Sequence, residues 1–181
     1  MEFKNTENSF GLVTRLFHWV MALMIIGIIA VGLYMSDLDP SPEAFKLYGL
    51  HKACGIIVLT LAVLRVCWTL TNKTPELLGL EKPIEKKFAK AAHGLLYLCM
   101  FIMPLSGWAM SSAFGYPVSV FDVVTLPPLL EKNKELGEII EEVHEYVGFG
   151  LIGLIVAHAG AALMHHIVKK DRTLIRMFKG K

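Results

Sequence analysis

Charged side chains are scarce in this sequence. Only 19% of the 181 residues are Asp, Glu, Lys or Arg, whereas 54% are hydrophobic. An average soluble domain has about 25% charged residues, so this composition argues against an ordinary soluble protein. The formal net charge is only +2, and no nucleic acid partner is expected.

Cysteine is also rare, and none of the three cysteines is arranged for chemistry. Cys54, Cys67 and Cys99 all lie in apolar runs, where a free cysteine behaves as a small apolar residue. The sequence has no CxxCH motif for covalent haem attachment and no CxxC pair. It also lacks a P-loop and a GxGxxG motif. Disulfide scaffolds and the familiar nucleotide-binding motifs are therefore not indicated.

The sequence instead has four long apolar runs. They cover about residues 11–35, 47–70, 91–113 and 143–168. Each run is long enough to cross a hydrocarbon core of about 30 Å, which takes about 20 helical residues. A spanning segment is helical because a helix satisfies its own backbone hydrogen bonds. The sequence therefore predicts an all-α membrane protein, a four-transmembrane-helix bundle that forms one domain over residues 1–181.

The first apolar run invites comparison with a cleaved signal peptide. It is longer than the apolar region of a signal peptide and has no clear small-x-small cleavage site. It also carries Arg15 and His18, which a signal peptide does not need. We interpret this run as a retained first transmembrane helix.

The positions of the basic residues predict which end of the bundle faces the cytoplasm. With four spans both termini lie on one side, and 14 of the 18 Lys and Arg residues fall there. Cytoplasmic loops are enriched in Lys and Arg, so both termini are predicted to be cytoplasmic, in a bacterial inner membrane. The opposite face has four lysines against ten acidic residues, a net charge of −6. These lysines are Lys46, Lys52, Lys132 and Lys134.

Histidine is the ionisable residue that recurs within the apolar runs. By depth, His51 pairs with His144 toward the outer end, and His18 pairs with His158 in the inner half. An ionisable side chain inside a membrane is costly, so its presence indicates a function. His144 and His158 are fourteen residues apart, which places them on nearly one helix face and about 21 Å apart. That separation excludes one shared metal ion but allows two flat cofactors.

Facing imidazoles on neighbouring helices can hold a planar iron porphyrin between them. Neutral imidazole is a good ligand of iron, and the core of a helix bundle is where such cofactors bind. The sequence therefore predicts two stacked b-type haems, with His18 and His158 as one pair of axial ligands and His51 and His144 as the other. A hydrogen bond between helices is the alternative role of any one of these histidines.

Three basic residues are candidates to neutralise haem propionates. Arg15 and Arg65 are near the inner end, and Lys52 follows His51 at the outer end. Long basic side chains near helix ends also extend to the membrane interface, and this alternative remains open for each of them.

Three further histidines are predicted near the inner interface. His93 begins the third run, and His165 and His166 end the fourth. His165 is seven residues after His158 and shares its helix face, whereas His166 is rotated by about 100°. Of the two, His165 is the better candidate to contact a molecule bound within the bundle.

Short motifs around these residues make a family pattern. They are Arg15-x-x-His18-Trp19, residues 50–55 (LHKACG), residues 92–97 (AHGLLY), Pro104 and Gly107, His144-Glu145, His158, residues 161–166 (AALMHH) and residues 170–177 (KDRTLIRM). With these motifs the chain resembles the bacterial cytochrome b561 family, the small four-helix dihaem membrane cytochromes. The resemblance covers nearly the whole chain.

The resemblance implies a cytochrome with two haem b groups that carries electrons from the periplasmic side to ubiquinone at the cytoplasmic side. It points most closely to the superoxide-oxidising members of the family, which implies superoxide:quinone oxidoreductase activity. It also implies the four paired histidines as haem ligands and a ubiquinone site with His93 and His165 nearby.

The acidic outer face argues against superoxide as the electron source. An anion is steered best by a positive surface, whereas a face of charge −6 suits a basic periplasmic redox protein such as a soluble cytochrome c. The alternative function is therefore an electron-transfer subunit between such a protein and the quinone pool. A third hypothesis, a transporter or proton channel, predicts a protein without haem. An HExxH metalloprotease is excluded, because Gly148 stands where its second histidine would be.

Overall fold

The computed structural model describes residues 2–79 and 82–180, so four residues of the predicted domain lie outside it. The described residues form five helices and one β-hairpin. In chain order these are α1 (Leu12–Met35), α2 (Pro42–Leu70), α3 (Pro83–Phe114), β1 (Val118–Val120), β2 (Val124–Leu126), α4 (Lys134–Ile167) and α5 (Thr173–Lys179).

The four predicted transmembrane helices are confirmed as α1 to α4. Each is long and apolar enough to cross a membrane. Only 6% to 17% of the residues in their most apolar 18-residue windows are buried inside the protein. Apolar surface exposed on that scale requires a covering, and lipid is the covering that helices of this length and composition fit.

Three of these helices begin earlier than the apolar runs predict. α2 begins at Pro42, α3 at Pro83 and α4 at Lys134. Proline is tolerated in the first turn of a helix because its missing N–H would have no helical partner there. A hydropathy pattern detects only the part of a helix that lipid would cover, so it misses polar turns beyond it.

Side-chain caps explain where two of these extensions begin. The Ser41 hydroxyl accepts a hydrogen bond from the N–H of Ala44 at 3.1 Å, at the start of α2. The Asn133 side chain accepts one from the N–H of Leu136 at 3.0 Å, at the start of α4. Such caps satisfy N–H groups that have no partner within the helix.

Neither α5 nor the hairpin was predicted from the sequence. Arg15 Nη1 donates to the carbonyl oxygen of Phe178 at 2.6 Å, and Trp19 Nε1 donates to that of Met177 at 3.1 Å. These two carbonyls belong to the last turn of α5, where helices have unsatisfied acceptors. Gly180 follows the last residue of α5 with φ 82°, and its N–H donates to the carbonyl oxygen of Arg176. A seven-residue helix is marginal alone, so it depends on these contacts.

The chain divides into two compact units, and each draws a segment from each of the four long helices. The terminal unit consists of Met1–Val20, Val63–Leu98 and Leu151–Lys181. The hairpin unit consists of Met21–Ala62 and Cys99–Gly150. The hairpin unit therefore contains His51 and His144, and the other five histidines belong to the terminal unit.

Candidate functional site

In the hairpin unit, α2 and α4 bring two predicted ligands together. The ring centroids of His51 and His144 are 6.3 Å apart, and the ring planes meet at 72°. Both residues are half-buried. The depth pairing predicted from the sequence is therefore a real juxtaposition of side chains.

Both of these rings are held through the same nitrogen, Nδ1. His51 Nδ1 lies 3.1 Å from the carbonyl oxygen of Ile28. A carbonyl only accepts, so Nδ1 carries the proton and Nε2 carries the lone pair. His144 Nδ1 lies 2.8 Å from Ser106 Oγ, and that hydroxyl donates its hydrogen to the carbonyl of Met103 at 3.0 Å. His144 Nδ1 is then the donor to Ser106, which again leaves the lone pair on Nε2.

Two helix glycines make room for these rings. A Cβ at Gly32 would lie 3.0 Å from Cε1 of His51, and a Cβ at Gly107 would lie 3.2 Å from Cε1 of His144. Glycine inside a helix costs about 1 kcal/mol relative to alanine, so close packing against the rings is the physical reason for it here. A cavity of about 270 Å³ lies beside His51. Its lining residues are Met24, Gly27, Ile28, Val31, Leu50, His51 and Cys54.

Lys52, the predicted outer propionate partner, connects α2 to the segment around the hairpin. Its Nζ donates to the carbonyl oxygen of Pro117 at 2.8 Å and to Ser111 Oγ at 3.3 Å. An ammonium has three donors, so one N–H remains for an anionic group.

In the terminal unit, three imidazoles come together. The ring centroids of His18 and His158 are 6.1 Å apart, at an interplanar angle of 56°. The ring of His93 lies 5.3 Å from that of His158. The sequence placed His93 at the level of His165 or His166, and here its described ring contact is with His158.

Arg65 and Arg15 have different surroundings in the terminal unit. Arg65 lies close enough to His18, His93 and His158 to interact electrostatically with each of them. It also donates from Nε to the Tyr97 hydroxyl at 3.2 Å. Arg15 is only 9% exposed and donates to α5. Of the two, Arg65 has the surroundings expected for a group that neutralises a propionate.

His165 forms a dyad with Asp171, which sequence reasoning missed. His165 Nδ1 lies 2.5 Å from Asp171 Oδ2, and His165 is 8% exposed, whereas His166 is exposed. Burial opposes ionisation of Asp171, but hydrogen bonds from Thr173 and His165 outweigh it and lower the pKa of that carboxyl. The motif at residues 170–177 contained Asp171, but nothing in the spacing paired it with His165.

The distances within the two histidine pairs fit a single metal between two rings. A metal–imidazole bond is about 2 Å long, and a ring centroid lies about 1 Å beyond its nitrogen, so two imidazoles that held one metal between them would have centroids about 6 Å apart. Among residues 2–79 and 82–180, no three His, Cys, Asp or Glu side chains converge on a metal-ion site. Two imidazoles would suffice to hold an iron porphyrin, because the porphyrin would supply the other ligands of the iron.

Comparison with known proteins gives relatives along the whole chain. The family description "Prokaryotic cytochrome b561" matches residues 9–180. Cytochrome b561 homolog 2 of Escherichia coli (strain K12) is 34% identical over 178 residues, 98% of this chain and 95% of that protein. Cytochrome b561 homolog 1 of the same organism is 30% identical over 173 residues, 94% and 97% of the two chains.

A relative named for superoxide chemistry is also found. The probable superoxide oxidase CybB of Yersinia pestis is 28% identical over 164 residues, 91% of this chain and 92% of that protein. This identity is below that of both Escherichia coli homologues, so the expectation of a closest resemblance to superoxide oxidase is wrong. With its four helices of transmembrane length and a family match from residue 9 to residue 180, the chain belongs to the prokaryotic cytochrome b561 family.

Proposed function

We propose that this protein carries electrons from a periplasmic donor to ubiquinone at the cytoplasmic side, with one haem b in each unit. Membership of the family makes it a multi-pass membrane electron carrier of the b561 type and implies haem b. Bound haem b supplies one-electron redox chemistry. The observation that carries the proposal is the pair of imidazole sets with centroids 6.1 and 6.3 Å apart.

The histidine pairs would bind the two haem irons through Nε2. His51 and His144 are already oriented for this, since the Ile28 carbonyl and the Ser106 hydroxyl hold Nδ1 of each ring. A partner on the second nitrogen fixes the ring and makes a ligating imidazole more basic. His18 and His158 would form the corresponding pair in the terminal unit.

Basic residues would bind the propionates. Arg65 beside the three imidazoles is the candidate in the terminal unit, and Lys52 with its remaining N–H is the candidate in the hairpin unit. Arg15 is a weaker candidate, because it donates to α5.

The ubiquinone site would lie at the cytoplasmic end of the terminal unit, near His93 and His165. Reduction of a quinone to a quinol consumes two electrons and two protons. His165 is buried. Its Nδ1 is hydrogen-bonded to Asp171, so Nε2 is the ring nitrogen available to another partner. Histidine is the side chain best suited to proton transfer near neutral pH.

Superoxide is our first candidate for the electron donor. Two superoxide anions, one ubiquinone and two protons give two O₂ and one ubiquinol, so atoms and electrons balance. The name of the Yersinia pestis relative supports this substrate. Lys132 and Lys134 line one cavity of about 350 Å³ with Tyr116. Lys134 pairs with Glu138 at 3.4 Å, so Lys132 would supply the local positive charge on this otherwise acidic face.

A basic periplasmic redox protein is the second candidate donor. The first turns of α4 carry five glutamates, and all five are exposed. They are Glu135, Glu138, Glu141, Glu142 and Glu145. Acidic surfaces raise the association rate of basic partners. This candidate needs no chemistry on oxygen.

Mixing the oxidised protein with superoxide distinguishes the two donors. We expect fast growth of the reduced haem Soret and α bands, followed by reoxidation when a soluble ubiquinone analogue is added. The control is the same mixture after superoxide has been removed by dismutase. If the bands stay oxidised with superoxide but a reduced basic cytochrome c reduces them, the second donor is correct.

Replacing Ser106 with alanine should weaken haem binding in the hairpin unit. The change removes the acceptor for His144 Nδ1–H, so the ring loses its orientation, and such losses typically lower affinity or activity by about 10- to 100-fold. The measurement is the rate at which haem leaves to a haem-scavenging apoprotein. Ser36→Ala is the matched control, because Ser36 only donates to the carbonyl of Leu33. Equal rates in the two variants would contradict the role of Ser106.

A further inference from the structure

Hydrogen bonds to the backbone fix the position of the Asp171 side chain independently of its contact with the His165 ring. Its Oδ1 accepts the backbone N–H of Thr173 at 2.8 Å, and its own N–H donates to the carbonyl of His165 at 3.1 Å. Asp171 Oδ2 is therefore directed by the backbone at the start of α5. The 2.5 Å approach to His165 Nδ1 is the third contact of a carboxylate whose position is already fixed.

Gly79 packs closely against the dyad of His165 and Asp171. A Cβ at Gly79 would lie 3.1 Å from His165 Nδ1 and would also clash with Asp171 Oδ2. The residue has φ 64°, which favours glycine. Lys169 fixes this loop, since its Nζ donates to the Gly79 carbonyl at 2.8 Å. Backbone thus covers the Nδ1 side of the ring, and Nε2 is the nitrogen that remains for another molecule.

Hydrogen bonds from Thr173 and His165 keep the Asp171 carboxylate ionised. The basic residues near it in the chain include Lys169, which pairs with Glu85 at 3.8 Å, and Arg172. The lowered pKa of Asp171 makes it an anion at neutral pH. An ionised carboxylate on Nδ1 holds the imidazole in one tautomer and stabilises the imidazolium without taking the proton itself.

We propose that Asp171 is a positioning residue that fixes His165 with its Nδ1–H toward the carboxylate, so that Nε2 gives protons to ubiquinone. This inference rests on the proposed function, which supplies the quinone and the electrons. For each proton, the Nε2–H bond breaks and an O–H bond forms on a quinone oxygen. A proton taken up from the cytoplasm then returns to Nε2 and restores the imidazolium. Two such transfers and two electrons from the periplasmic donor complete one ubiquinol.

Asp171→Asn tests this inference in the haem-loaded protein. An amide removes the charge but keeps the shape, so we expect kcat with a soluble ubiquinone analogue to fall by about 10²-fold or more, with KM nearly unchanged. Asp171→Glu retains the charge and should recover much of the loss. Glu7→Gln is the matched control, because Glu7 forms only an exposed ion pair with Lys73.

A second readout does not depend on turnover. With ¹⁵N-labelled histidine, the NMR signal of His165, assigned with His165→Gln, should report the Nδ1–H tautomer in the wild type. In Asp171→Asn it should shift toward a mixture. A merely structural role would leave the tautomer unchanged, and haem content would report any general loss of fold.

The outcomes separate this inference from the function on which it rests. Wild-type protein that takes electrons but never reduces the quinone would overturn both. Normal turnover by the wild type with kcat unchanged in Asp171→Asn would overturn the positioning role alone. A raised KM with unchanged kcat would also overturn it, because Asp171 would then serve binding only.

Discussion

His51→Ala and His144→Ala should each yield a protein that retains one haem of two. Each change removes one axial ligand from the hairpin unit and leaves the His18 and His158 rings of the terminal unit intact. His18→Ala and His158→Ala should lose the other haem. The measurement is the haem-to-protein ratio, with low-temperature α-band spectra to resolve the two haems.

The size of this effect follows from how few ligands hold each iron. Two imidazoles would hold each iron, so deleting one of them would remove half of the protein's bonds to that metal. His166→Ala is the matched control, since His166 is an exposed histidine on the same helix as His144 and His158. Equal loss of both haems in every variant would mean that the fold had collapsed and would leave the ligand assignment without support.

His165→Ala should abolish most quinone reduction while both haems stay bound. Removing a general acid typically lowers a rate by about 10²- to 10⁴-fold, and His165 contacts neither histidine pair among the described ring contacts. The protein should still be reduced by its donor at the wild-type rate. The measurement is donor-driven ubiquinol formation compared with haem reduction in the absence of quinone.

His93→Ala makes a useful contrast in the same assay. Its ring lies 5.3 Å from that of His158, so its removal should change the absorbance of the neighbouring haem as well as slow turnover. If His165→Ala turns over normally, the quinone site must lie elsewhere. If His93→Ala leaves the spectrum unchanged, its proximity to His158 has no influence on the bound haem.

The sequence predicted the parts of the fold that depend on one helix at a time. Four apolar runs gave the four long helices, and the fourteen-residue interval between His144 and His158 gave their shared face. The early start of α3 was not predictable from hydropathy, because its first turns are polar. α5 was missed for another reason: Arg15 and Trp19, more than 150 residues away in the chain, satisfy its last carbonyls.

The candidate site shows the same division. The predicted depth of each residue along its helix paired His51 with His144 and His18 with His158, because depth follows from residue number. The hydrogen-bond partners of the histidine rings could not be predicted from the sequence, because Ile28, Ser106 and Asp171 contact histidines only through packing or a turn. The contact between His93 and His158 was missed for a similar reason: counting residues gives the height of a side chain but not the direction in which it extends.

The two rings of the hairpin-unit pair differ in the kind of group that orients them. The acceptor for His51 is a main-chain carbonyl, which every amino acid at position 28 would still provide. The acceptor for His144 is a serine hydroxyl that a single nucleotide change can erase. If the pair binds a haem, substitutions at position 106 would change the reduction potential of that haem, whereas substitutions at position 28 would leave the tautomer of His51 unchanged.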